Sequence, residues 1–180
     1  MASPQLTSEQ VQQLSASVAH HISSQREAFL RESTPLTTAQ RLAMEGFFPT
    51  ETLDVGRVVV LQNRRVQNPD FYPSLEQLGF TNLPDFRMMA ATTFNDVVVA
   101  HQPFTHGLLF HEFVHVEQYR QLGVSQFSNL YVRGFITGGG YEGIPLEWNA
   151  YALGARFEAN PQQRFSVAED VAEWVRQGKF

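Results

Sequence analysis

Residues His111-Glu112-Phe113-Val114-His115 form an H-E-x-x-H motif, and no other stretch constrains this 180-residue chain so tightly. On a helix, residues four apart share one face, one turn from each other. Both imidazoles can then bind one metal ion. Zinc suits them, because it takes neutral imidazole nitrogen and settles into four-coordinate sites. Glu112 is one step round the helix from His111, so it flanks the metal and can accept a proton from water there. Two ligands and a base are what a zinc hydrolase requires.

The flanks agree with a helix. Leu108, Leu109, Phe110, Phe113, Val114, Val116 and Leu122 place apolar residues nearly all round it, as in a buried helix. Gly123 is a natural stop. The alternative is a core helix with two satisfied histidines and an incidental glutamate.

A catalytic zinc usually has three protein ligands and one open position. No histidine follows His115, so the third ligand is either an upstream histidine or a carboxylate. Glu117, two residues after His115, points away from the metal face. Glu142 lies in Tyr-Glu-Gly before Pro145, in a loop after the Gly138-Gly139-Gly140 break. Glu147 sits in the first turn of a helix that begins at Pro145, where proline suits the first position. Ala150 and Gly154 on the face of Glu147 allow close packing against the motif helix. These points select Glu147. The competing reading is that it only favours the helix dipole. His106 is five residues before His111 and off its face. His101 precedes Pro103, outside the helix. Neither is expected to bind the metal. A developing oxyanion needs a donor, and Tyr131, Tyr141, Tyr151, His101, His106 and Arg133 are the candidates, Tyr141 and Tyr131 ahead of the rest.

With these residues in view, the chain resembles the zincin metallopeptidases of the gluzincin type. The wording His111 to Gln118, then Ile144-Pro145-Leu146-Glu147 and Ala150-Tyr151, is similar to small bacterial zincin-like domains. The resemblance covers roughly Ala91 to Phe157. It implies Glu112 as base and Glu147, 32 residues beyond His115, as third ligand. It also implies that the Asp96–Val99 strand forms the upper edge of a cleft, where an extended peptide adds by β-augmentation. An interior strand is the other reading of its valine run. The longer metzincin pattern is absent, since Gln118 and Gln121 stand where it has glycine and histidine.

Elsewhere the chain reads as one α+β domain over residues 1–180, mostly helical with a small sheet. Thr7 caps a first helix that runs to about Glu32, with Gln10 closing a capping box and Leu6 stapling Val11. His20 and His21 in it read as surface histidines. A short helix starts at Thr37 or Thr38. Leu53 to Leu61 and Ala91 to Ala100 read as strands. Asn63 to Pro84 reads mostly as loop. Helices follow from Ser125 to Ile136 and from Pro145 to about Glu158. A last one is capped by Ser166 and Glu169.

The 15 phenylalanines suggest an aromatic core or an apolar cleft. A net charge of −5 argues against a nucleic-acid partner. No basic run or long apolar span suggests a membrane, and Met1 to Gln5 lack the features of a Sec leader. The expected location is cytoplasmic by default. With no cysteine, any zinc must sit on histidine and carboxylate. The expectation is a zinc-dependent hydrolase acting on a peptide or protein, with Zn2+ as cofactor. The alternatives are a non-catalytic zinc-binding or regulatory domain, and a hydrolase of a non-peptide amide. The oligomeric state is not legible.

Overall fold

The computed structural model describes residues 4–180. The reading against a Sec leader falls mostly on Met1, Ala2 and Ser3, which lie outside them. Thr7 caps α1 (Ser8–Leu30), and both halves of its capping box with Gln10 are present. A two-residue strand β1 (Thr34–Pro35) follows. Thr37 caps α2 (Thr38–Met44) by a second capping box, closed by Gln40. The expected strand from Leu53 then divides. Leu53, Asp54 and Val55 belong to a short helix, α3 (Thr50–Val55), and only β2 (Arg57–Val60) is extended. The β-branched Thr52 and Val55 do not outweigh the tertiary packing that buries Thr52 and Leu53 as helix.

The segment read as loop contains α4 (Tyr72–Gln77). The expected strand from Ala91 to Ala100 is a hairpin instead. β3 (Ala91–Phe94) and β4 (Val97–Ala100) pair antiparallel, with Phe94 opposite Val97. Asn95 makes the turn with φ 60°, a left-handed conformation that asparagine tolerates. β2 lies parallel to β4, and β1 antiparallel to β2, so the mixed sheet has the order β1-β2-β4-β3. β4 is therefore interior, and its four residues are wholly buried. The edge beside the motif helix is β3, which corrects the expectation for Asp96–Val99.

Thr105 caps α5 (His106–Thr137), the motif helix. Gly123 departs from helical geometry with φ 72°, but the helix resumes at once, so the two expected helices join at a kink. The turn Tyr141–Gly143 leads to α6 (Pro145–Ala159), and Ser166 caps α7 (Val167–Arg176).

The result is one α+β domain, 58% helical. Its axis is α5, which separates two apolar cores. On one side Phe110 stacks on Phe157 at 4.3 Å and meets Phe47 edge-on at 5.5 Å. On the other, α1 packs over the hairpin and is tied to it by Arg26, whose guanidinium donates twice to Asp96, at 2.7 and 2.8 Å. Close approach of α5 and the start of α6 depends on Gly134, where a Cβ would lie 2.6 Å from Pro145 Cδ. Gly154, expected to serve that purpose, has open space around it. Among the described residues no helix is long and apolar enough to cross a membrane.

Candidate metal centre

The helical spacing does what geometry requires. His111 and His115 turn the same way from α5, and their Nε2 atoms stand 3.3 Å apart. Glu147 reaches them from the first turn of α6. Its Oε2 lies 3.5 Å from His111 Nε2 and 3.3 Å from His115 Nε2. Glu142 is exposed on the preceding turn, and its carbonyl accepts from the Trp148 indole. Glu117 points the other way, buried against Thr52, Arg120 and Gln121. Among the described residues, His111, His115 and Glu147 are the group of side chains that could hold a metal ion.

The donor set fits zinc on two grounds. Two imidazole nitrogens and one carboxylate oxygen match its preference in a chain without thiolates. Zinc bonds of about 2.0–2.1 Å arranged as a tetrahedron put neighbouring ligand atoms about 3.3–3.4 Å apart. The three observed separations of 3.3, 3.3 and 3.5 Å match those edges.

Electrostatics reinforce the cluster. Burial alone lowers the pKa of His115, but the charge and hydrogen bond of Glu147, the charge of Glu112 and the Gln118 hydrogen bond outweigh it, pushing His115 up to about 9. Burial likewise opposes ionisation of Glu147, and the two histidines overcome it, holding the carboxyl well below the usual range. The site carries negative charge that favours cationic character beside it.

Neighbouring side chains fix the cluster. His115 Nδ1 donates to Gln118 Oε1 at 2.8 Å, which turns Nε2 toward the metal position. Gln118 is itself held, its Nε2 donating to Leu146 O and Asn149 Oδ1, each at 3.0 Å. Asn149 Nδ2 donates to Asp170 Oδ1 at 3.0 Å, extending the chain to α7. Glu112 is buried, and its Oε2 accepts from the Thr93 hydroxyl of β3 at 2.7 Å.

The three tyrosines diverge. Tyr141 reaches the cluster, its hydroxyl donating to Glu147 Oε2 at 2.8 Å. Tyr151 lays its ring against His111 with centroids 4.5 Å apart, on the exposed side. Tyr131 stands further off, near-parallel to Phe127 at 6.1 Å. Burial, followed by the charge of Glu147, raises Tyr131 and Tyr141, so both hydroxyls keep their protons. His101 is not in the group. Its Nε2 accepts from Val66 N at 3.0 Å and its Nδ1 meets Met89 O at 2.7 Å. His106 is exposed at the start of α5. Thr93, Gln118 and Asn149 escape sequence reasoning, although Gln118, three residues after His115, lies where a helix could bring it to the imidazole.

No family model, curated protein or solved structure matches the chain.

Proposed function

We propose that this protein is a zinc-dependent hydrolase, most simply a metallopeptidase of zincin type, with a peptide or protein as substrate. One observation carries the reading: three ligand atoms spaced as a tetrahedral face, with an intact Glu112 beside them. A purely structural zinc has no use for such a base. His111, His115 and Glu147 hold the ion, which when bound supplies Lewis acidity and makes water acidic enough to react near neutral pH.

Glu112 accepts the proton from the attacking water and delivers it to the leaving nitrogen. Thr93 holds the Glu112 carboxylate by one oxygen, Oε2, and its partner Oε1 is not engaged by Thr93. Gln118 fixes the His115 ring. Tyr141 bonds Glu147 and orients it. An extended substrate pairs with β3, which has a strand neighbour on one side only.

Glu112→Gln tests the proposal. It keeps the side chain's shape and removes the base. The variant should retain zinc and lose turnover on a peptide library by about 10²–10⁴-fold. Zinc-loaded wild type without turnover on any peptide would instead favour a binding domain or a non-peptide amide as substrate.

A further inference from the structure

The metal cluster lies between two spaces. Outward is an open cleft of about 510 Å³, bordered by Leu108, Tyr151 and Glu158. Inward is a cavity of about 120 Å³ that runs under α1. His111, Glu112 and Tyr141 line both. A group attached to the reacting centre therefore lies beside both spaces. The size of the cavity is that of one ring, since an apolar cavity of about 150 Å³ holds benzene.

Away from the metal cluster the cavity wall is mostly aliphatic and aromatic, with Thr92 and the tyrosines Tyr72, Tyr119 and Tyr131 among its lining, and one histidine stands in it. His21, expected on the surface, is turned inward from α1. Its ring has Phe94, Phe71 and Phe86 as neighbours, at centroid distances of 6.0, 6.2 and 6.2 Å, and all three also line the cavity. Its Nε2 is buried with no hydrogen-bond partner, the one such side-chain atom among the described residues. An unpaired buried nitrogen costs free energy, and a persistent one calls for an explanation.

We infer that His21 is a specificity-determining residue, and that the cavity receives a ring bearing a terminal hydroxyl, a phenol such as the tyrosine side chain. This deepens the hydrolase reading and rests on it for the word substrate. The apolar wall and the volume select a single ring. The unpartnered Nε2 favours a polar end. Burial lowers the His21 pKa, so the imidazole is neutral, and its Nε2 is a donor in one tautomer and an acceptor in the other. A hydroxyl serves either tautomer, because it both donates and accepts. A carboxylate or ammonium end would lose its hydration for a single partner, which is unfavourable.

Binding of two small probes, p-cresol and toluene, to the full-length protein tests this without any need for turnover. Dissociation constants are measured by ligand-observed NMR for wild type and His21→Phe, a substitution that keeps a ring in place. Circular dichroism checks that both are folded. The preference for p-cresol over toluene should fall by about tenfold or more in His21→Phe, the worth of one hydrogen bond. An unchanged preference overturns the role of His21. Failure of both probes to bind wild type overturns the cavity as a ring site, while zinc content and Glu112→Gln decide the hydrolase reading separately. A second variant, Val18→Trp, fills the cavity from α1 and should abolish binding of both probes; retained binding places them elsewhere and also overturns the inference.

Discussion

The Thr93 hydroxyl donates to Glu112 Oε2 across 2.7 Å, linking the edge strand of the sheet to the base of the motif helix. The same hydroxyl lies 3.2 Å from the Glu112 carbonyl. The hairpin thus sets where the carboxylate stands. Thr93→Val keeps the branched shape and removes the bond. A hydrogen bond to a charged group is worth about 1.5–3 kcal/mol, so kcat should fall about ten- to a hundredfold. Zinc content, measured on the same preparation, should not change. Loss of metal in Thr93→Val would show that the residue supports the fold rather than the base.

Gln118 is the corresponding support for a ligand. It accepts the hydrogen bond of His115 Nδ1–H and is anchored by Leu146 and Asn149 of α6. Gln118→Leu should weaken zinc binding by about 10–100-fold, the usual effect of removing a partner behind a metal ligand. Competition with a chromophoric chelator measures it. Asn149→Ala should weaken binding less, because it acts through Gln118.

The Gly138–Gly140 break is a packed turn more than a flexible one. A Cβ on Gly143 would lie 2.3 Å from Gly138 O, and one on Gly138 would lie 2.4 Å from Gly143 O. Both contacts are with backbone, so nothing nearby can swing aside. Gly143→Ala should cost about 1–3 kcal/mol of stability, as overpacking does, and lower the denaturation midpoint. The same turn carries Tyr141 toward Glu147, so zinc affinity should fall with it. Gly154→Ala, in the interior of α6 where nothing lies within reach of a Cβ, should leave zinc affinity unchanged and raise stability by about 0.5–1 kcal/mol.

His21 gives stability a pH dependence whose sign is fixed. An unfolded histidine titrates near about 6.5. Burial lowers folded His21 below that, nearby His20 adds to the effect, and Asp70 opposes it. The unfolded chain therefore takes up the proton first. The contribution of His21 is fully present above the unfolded pKa and is lost as pH falls from about 6.5 toward the folded value. Urea denaturation of wild type and His21→Phe, compared between about pH 5 and 7.5, isolates this part from the other histidines. The gap should move in favour of the variant as pH falls. A gap independent of pH would contradict the burial of a neutral imidazole.

The legible parts of this protein are those written in local sequence. Thr7 with Gln10, Ser166 with Glu169, and Pro145 mark helix starts by contacts within one turn, and each is found. The spacing of His111 and His115 is likewise a property of one helix. Glu147 was reachable because a break, a proline and a glutamate follow in order. What was lost depends on tertiary placement. Asn95-Asp96 between two β-branched runs is a turn signal, but the valine run masks it, and one strand was read where two exist. The partners of Glu112 and the inward turn of His21 come from β3 and α1, and no local pattern joins them to the motif. The N-terminal helix was recognisable as a helix, but not as a wall of the site.

Elemental analysis of protein purified without added metal tests the metal centre most directly, with Glu147→Ala and Glu142→Ala measured beside wild type. Wild type and Glu142→Ala should each carry about one zinc per chain, and Glu147→Ala should lose most of it, as should His111→Ala and His115→Ala. Wild type without stoichiometric metal, or Glu147→Ala with full occupancy and Glu142→Ala depleted, would contradict the account.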